Sequence, residues 1–390
     1  MTIRGAGITN NSGVTQNFVS TVSSEPIKFI HSATAGSETT FTNSNGYIEF
    51  RDTANPGTAT FVTSNGGNTI FFDQAKSDNA TFITNSGGTT FPNFHNGANG
   101  TCISKPGGTT YLGDGDRAGN ATLIANGGVI LFDAFSTGDT ARVELFNGLL
   151  YTADSYHLTL GSIEGDGVIE LGDGGLEVGS NNLSTVFSEQ IRDDNSEERG
   201  ATLVKGGSGT LTLSSRNFYK NGTVVLDGTL VLASDLDSAM GHGSVVVQGG
   251  TLSGTGGIAG SLKVGTGSGS GAILDPGNGT IPGTLTLQNH LILNGDASYN
   301  VLINSNTPAS DQVTTKGIVI RSASVLFQDV GTALLPPGTT FTVINNIAAT
   351  PITGTFSNLA DGAIITIGSN TFQASYEGGD GNDLTLTVVP

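Results

Sequence analysis

The sequence predicts an all-β chain, a right-handed, single-stranded parallel β-helix with about 20 residues per rung. Three observations predict it. A unit of 20 or 21 residues repeats between residues 40 and 150. Each unit holds short runs of alternating apolar and polar residues, separated by the Gly, Asn, Ser and Asp that tolerate tight turns. No helical spacing extends beyond a single turn, the nearest being Asp235 to Met240.

The units open on Thr40-Phe41, Thr60-Phe61, Thr81-Phe82, Thr101-Cys102, Thr122-Leu123 and Arg142-Val143. A small residue precedes most of them: Ala59, Ala80, Gly100, Ala121 and Ala141. Glycine pairs recur at Gly66-Gly67, Gly87-Gly88, Gly107-Gly108 and Gly127-Gly128, and a second apolar position follows at Phe71-Phe72, Phe91, Tyr111 and Leu131-Phe132. Twenty helix-free residues cannot bury a core alone, but stacked copies can. A propeller blade needs about 40 residues, so the period selects a rung of three short parallel strands. At this period the chain divides into about 18 rungs, with equivalent residues about 4.8 Å apart. Phe41, Phe61 and Phe82 then form an internal aromatic ladder, and the glycine pairs lie at a corner where a side chain would strike the adjacent rung. Cys102, the only cysteine, stands where other units have Phe or Leu and reads as a small core residue.

Composition narrows the function. Charged residues are only 12% of the chain, and 15 basic against 33 acidic side chains leave a net charge of −18. Such a surface repels phosphate, which excludes nucleic acid and disfavours anionic lipid. Fifty-nine glycines occur without a Gly-X-Y period, so the chain is not collagen-like. No apolar run reaches the length of about 18 residues needed to span a bilayer as a helix. Met1 to Asn10 lacks a cationic segment followed by an apolar one. The expectation is a piece excised from a longer exported precursor, with export signal and anchor outside this chain.

From about residue 157 Phe gives way to Leu and Val, dividing the chain into a Phe-rich segment, 1–156, and a second, 157–390. Gly-Thr-Leu recurs at 209–211, 228–230, 250–252 and 283–285. The charged stretch Ser188 to Gly200 interrupts the pattern and reads as a loop bulging from the stack. The run from Gly200 to Gly260 resembles the passenger-associated β-strand repeat of bacterial autotransporters. Its carriers are Gly207-Ser208-Gly209-Thr210-Leu211-Thr212-Leu213, Gly228-Thr229-Leu230-Val231-Leu232 and the variant close Met240-Gly241-His242-Gly243. Pro276-Gly277-Asn278, Ser310-Asp311-Gln312-Val313 and the closing stretch Gly354 to Leu384 are similar to further family elements. The resemblance implies a β-helical passenger outside the cell of a Gram-negative-type bacterium, and it assigns no chemistry. No amphipathic strands of about ten residues that would build an outer-membrane barrel follow it in this chain.

Candidate chemistry is sparse. His31, His95, His157, His242 and His290 follow no repeat, and no Gly-x-Ser-x-Gly elbow accompanies them. Asp114-Gly115-Asp116-Arg117 has both charge signs but falls where the unit turns. Gly378 to Asp383 begins like a calcium-binding nonapeptide, yet occurs once, where a site held between turns needs tandem copies; it reads as a hairpin turn. The expectation is a non-enzymatic structural or adhesive surface protein, monomeric, with no catalytic, cofactor-binding or metal residues and no cofactor. Its partner is an extracellular host, cell-surface or matrix glycan or protein. The alternative is a carbohydrate-active β-helix enzyme of lyase or glycosidase type, which needs clustered carboxylates and stacking aromatics in a groove. Here the turns are short, the 188–200 loop has no aromatic residue, and the chain has no tryptophan.

Overall fold

A computed structural model describes the chain except residues 95–97, 114, 134, 153–156, 173, 195–199, 235–238 and 270. The described residues contain no helix and form a β-solenoid of about 13 turns of roughly 21 residues. That is fewer than the expected 18 or so; the C-terminal strands run antiparallel and add no turns. The chain divides into two compact units, Met1–Ala201 and Thr202–Pro390. The change of side-chain character near residue 157 falls inside the first.

In the first unit, one parallel sheet is built from Gln16–Ser20, Thr39–Ser44, Thr60–Ser64, Thr81–Thr84, Thr101–Ser104, Thr122–Asn126, Arg142–Phe146 and Ser162–Gly165. A second stacks Ile27–Phe29, Tyr47–Phe50, Asn68–Phe71, Thr89–Phe91, Thr109–Leu112, Val129–Phe132, Leu149–Thr152, Val168–Leu171 and Ile191–Asp193. The third strand expected of each rung is mostly replaced by bends with isolated bridges, such as Thr34 with Asn55 and Arg117 with Thr137. Left-handed backbone at His31, Asp52 and Asp73 breaks any extended run there. A third-side strand forms only where Leu158–Leu160 pairs with Gly175–Val178. The Ser188 to Gly200 stretch is not all loop: Ile191–Asp193 joins the second sheet, with Ile191 buried against the register of Ile169.

The ladder exists and is double. Phe18, Phe41, Phe61 and Phe82 stack at 4.8, 5.1 and 5.3 Å between ring centroids. On the facing sheet Phe29, Phe50 and Phe71 stack at 4.7 and 4.6 Å. The two ladders meet edge to face, at 5.4 Å for Phe29 on Phe41 and 5.5 Å for Phe50 on Phe61. Each contact adds about 0.5–1.5 kcal/mol to the burial itself. Cys102 continues the column between Phe82 and Leu123. It is fully buried, which pushes its thiol pKa up and leaves it unreactive. Beside it, buried Phe94 reaches Phe82 edge-on at 6.4 Å. Gly100 is small because a Cβ there would lie 2.4 Å from that Phe94 ring.

Where the two strands of a turn converge, buried hydroxyls pair across the core: Thr63 with Thr69, Thr84 with Thr90 and Ser104 with Thr110, each at 2.8 Å. The glycine pairs follow. Gly107 has φ +75°, and a Cβ on Gly108 would sit 2.2 Å from the Thr84 carbonyl oxygen of the preceding turn. The first glycine of the pair therefore answers to backbone conformation and the second to close approach.

The second unit stacks Thr202–Lys205, Gly222–Val225, Val245–Val247, Leu262–Val264, Leu291–Leu293 and Ile318–Ile320 as one parallel sheet. Another contains Thr210–Leu213, Thr229–Ala233, Thr251–Ile258, Ala272–Pro276, Ala297–Asn304 and Ser324–Asp329. Three copies of Gly-Thr-Leu supply the column Leu211–Leu230–Leu252. The fourth lies on another face, where Leu285 pairs with Gly256 and Val313. Two polar side chains are fully enclosed. Lys205 points inward and its Nζ donates to the carbonyls of Gly206 and Gly207 at 2.7 and 2.9 Å and of Asp227 at 3.3 Å. Asp311 accepts from the backbone N–H of Gly283 and of Leu302, each at 2.8 Å, tying two turns together. The unit closes with antiparallel strands Thr340–Asn346, Asp383–Val388, Asn370–Gly378 and Ile364–Ile367.

Candidate interaction surface

The singled-out polar residues are not brought together. His31 pairs with Asp52 at 3.2 Å and His157 with Glu177 at 3.3 Å, each one turn away. His290 faces Ser261 at 3.4 Å, and His242 lies against the Phe218 ring; His95 lies outside the described residues. In the 114–117 cluster, Asp114 also lies outside them. Asp116 accepts from the Gly113 N–H at 2.8 Å and Arg117 pairs with Asp139, so both are engaged within the corner. Gly378 to Asp383 makes the turn between Asn370–Gly378 and Asp383–Val388. The Asp383 carboxylate accepts from the Asn346 N–H at 2.8 Å. Among the described residues no three His, Cys, Asp or Glu side chains group as a metal site.

What the fold does assemble is a pair of ordered outer faces on the first unit. Strand residues alternate between core and surface, and exact register turns each outward position into a column. On one sheet Thr40, Thr60, Thr81, Thr101 and Thr122 form such a column, with Thr42, Val62, Ile83, Ile103 and Ile124 beside it. On the other sheet an outward column runs from Lys28 and Glu49 through Ile70, Phe91, Tyr111, Leu131 and Tyr151 to Glu170 and Arg192. Its middle five residues are apolar or aromatic and partly exposed.

Phe91 and Tyr111 were expected in the inward apolar position with Phe71 and Phe132, and this is a correction. Register pairs Thr69 with Thr90 and Ile70 with Phe91, so Phe91 lies on the column of Ile70 and not of Phe71. The inward place is taken by Phe71, Leu112 and Phe132. The available signal was the spacing: Asn68 to Thr89 is 21 residues, whereas Phe71 to Phe91 is 20. A single-residue difference inverts the face.

The strip has a defined polar border. Tyr111 donates to the Asp133 carboxylate one turn on, and that bond holds its phenol protonated, with its pKa pushed up to about 12. Tyr151 donates to Asp194 at 3.1 Å. Phe91 and Tyr111 contact each other edge-on at 5.2 Å. At the upstream end the Arg51 guanidinium lies 4.2 Å over the Phe72 ring. At the corner after Val129–Phe132, Phe135 is 69% exposed in left-handed backbone, φ 59°. A bulky side chain there costs on the order of 1–3 kcal/mol that other contacts must offset. Electrostatics follow sequence: the unit holds 22 of the 33 acidic residues and nine of the 15 basic ones. Lys28, Arg51, Arg117, Arg142 and Arg192 are each in an ion pair with a neighbouring carboxylate.

No family model matches the chain. Over 172 residues, 39% of its length, it is 29% identical to the adhesin BmaC autotransporter of Brucella suis biovar 1 (strain 1330). The match spans 5% of that much longer relative. In fold, and over this stretch of sequence, the chain is similar to an autotransporter passenger.

Proposed function

We propose that the chain is a non-enzymatic, surface-displayed or secreted β-helical passenger segment of a Gram-negative-type bacterium, adhesive in role. The observation that carries this reading is the local similarity to an autotransporter adhesin in a chain that folds as a stacked parallel solenoid. Short corners and full inter-turn pairing suit a segment that presents flat, ordered faces to an extracellular partner. It acts as a monomer.

The test displays the chain on a non-adherent bacterial strain and measures attachment to immobilised matrix proteins, cultured host cells and a glycan array. The purified chain is also incubated with acidic and neutral polysaccharides, and new reducing or unsaturated ends are measured. Attachment above the empty-display control, with no polysaccharide cleavage, is expected. Cleavage without attachment would replace this reading with a carbohydrate-active enzyme.

A further inference from the structure

We infer that the aromatic strip on the first unit, Phe72, Phe91, Tyr111 and Tyr151 with the Asp133 border, docks an extended cationic polypeptide segment through Lys or Arg side chains. This rests on the adhesive reading above and names the face and the partner chemistry.

Four features point to it. The aromatic and apolar column occupies five consecutive turns, Ile70 to Tyr151, and then ends in charged residues on both sides. At about 4.8 Å per turn it is roughly 20 Å long and one or two side chains wide. That is far below the about 800 Å² per partner of a standard protein–protein interface. The dimensions suit a slender extended chain and argue against a second copy pairing face to face.

Charge complementarity chooses the sign of the partner. The unit carries more than twice as many acidic as basic side chains, 22 against nine. The strip's own border is acidic too, with Asp133, Asp194 and Glu170. Chemistry chooses the group. An aromatic face attracts a guanidinium or ammonium within about 6 Å of the ring centroid. The molecule already makes this contact on the same sheet, where Arg51 covers Phe72 at 4.2 Å. Tyr111 and Tyr151 spend their hydroxyl protons on carboxylates. That orients the rings and leaves their π-faces as the recognition element. Finally, Phe135 is held 69% exposed in left-handed backbone at the corner beside Asp133. An aromatic kept outside at a conformational cost is the mark of a contact surface.

The experiment uses the full chain and a fluorescein-labelled extended peptide of alternating Arg and Ser, with Glu–Ser and Gln–Ser peptides as controls. Affinity is read by fluorescence polarisation at about 0.15 M salt, where the Debye length of about 8 Å screens distant charge. Phe91→Leu, Tyr111→Leu and Tyr151→Leu are combined, which keeps apolar bulk and removes the rings. Phe91→Tyr with Tyr111→Phe and Tyr151→Phe keeps them. Asp52→Asn with Asp73→Asn lowers the net charge on another side of the turn. Circular dichroism and urea unfolding verify the fold of each variant.

The Arg–Ser peptide is expected to bind, with affinity falling at least tenfold (about 1.4 kcal/mol) in the Leu variant. Within threefold of wild type is expected for the ring-keeping variant and for the Asp52/Asp73 variant. Equal binding by wild type and the Leu variant would overturn the proposal, as would loss that tracks net charge alone. Binding of a neutral glycan on the array that the Leu variant loses would reassign the strip to sugar stacking while leaving the adhesive reading intact. Absence of attachment to any surface would remove that reading itself.

Discussion

The two units wind the same period around different interiors. In the first, flat rings repeat turn after turn: Phe18, Phe41, Phe61 and Phe82 against Phe29, Phe50 and Phe71. In the second, Leu211, Leu230, Leu252 and Leu274 form the column, and the core encloses a lysine and an aspartate. Rung geometry therefore asks only for inward side chains that stack on their own kind at about 4.8 Å, and both rings and branched aliphatics do so. The difference lies in what holds neighbouring turns together. The first unit relies on ring contacts and hydroxyl pairs, the second on charged groups that bond carbonyls and N–H groups of adjacent turns.

Each unit can be broken at its own device. Phe61→Ala removes one ring from the middle of a ladder and two stacking partners with it. It is expected to cost about 3–5 kcal/mol, seen as a lower urea midpoint. Because turns contact only their neighbours, hydrogen exchange should rise around Phe41 and Phe82 and not in the second unit. Uniform loss of protection across both units would show that they unfold as one.

Asp311 makes the second unit pH-sensitive. Burial raises its pKa from 3.8 to about 7, against the opposing pull of the Leu302 and Gly283 N–H groups. Between those values the folded state holds a proton that the unfolded chain has released. Stability therefore falls as pH rises from about 4 to 7, by an amount on the order of a few kcal/mol. Unfolding midpoints at pH 4.5 and 7.5 check this, and Asp311→Asn should flatten the profile. A midpoint that rises over this range would contradict it.

Lys205→Met keeps the length of the side chain but orphans the Gly206, Gly207 and Asp227 carbonyls. A loss of about 1–3 kcal/mol is expected, in the second unit only. The smallest effect tests the hydroxyl pairs. Thr84→Val leaves Thr90 without its partner and should cost about 1 kcal/mol. Adding Thr90→Val should recover part of that, since two apolar groups of similar shape replace the pair. A double variant worse than the single would mean that these hydroxyls serve something besides each other.

Much of this was legible in the sequence, and the reason is repetition. The Thr-Phe openings, the buried Ala59, Ala80, Ala121 and Ala141 before them, and the Gly-Gly corners recur at one spacing because identical neighbours impose identical constraints on each turn. The parallel stack, the Phe41–Phe61–Phe82 ladder and the core place of Cys102 follow from that period alone. What only the tertiary structure decided is the face on which Phe91 and Tyr111 lie. Side chains in a strand alternate with a period of two, so a turn of 20 residues beside one of 21 inverts inside and outside. Register settles it, and register depends on hydrogen bonds between turns. The same holds for Lys205 and Asp311, whose partners are backbone groups that no side-chain pattern announces.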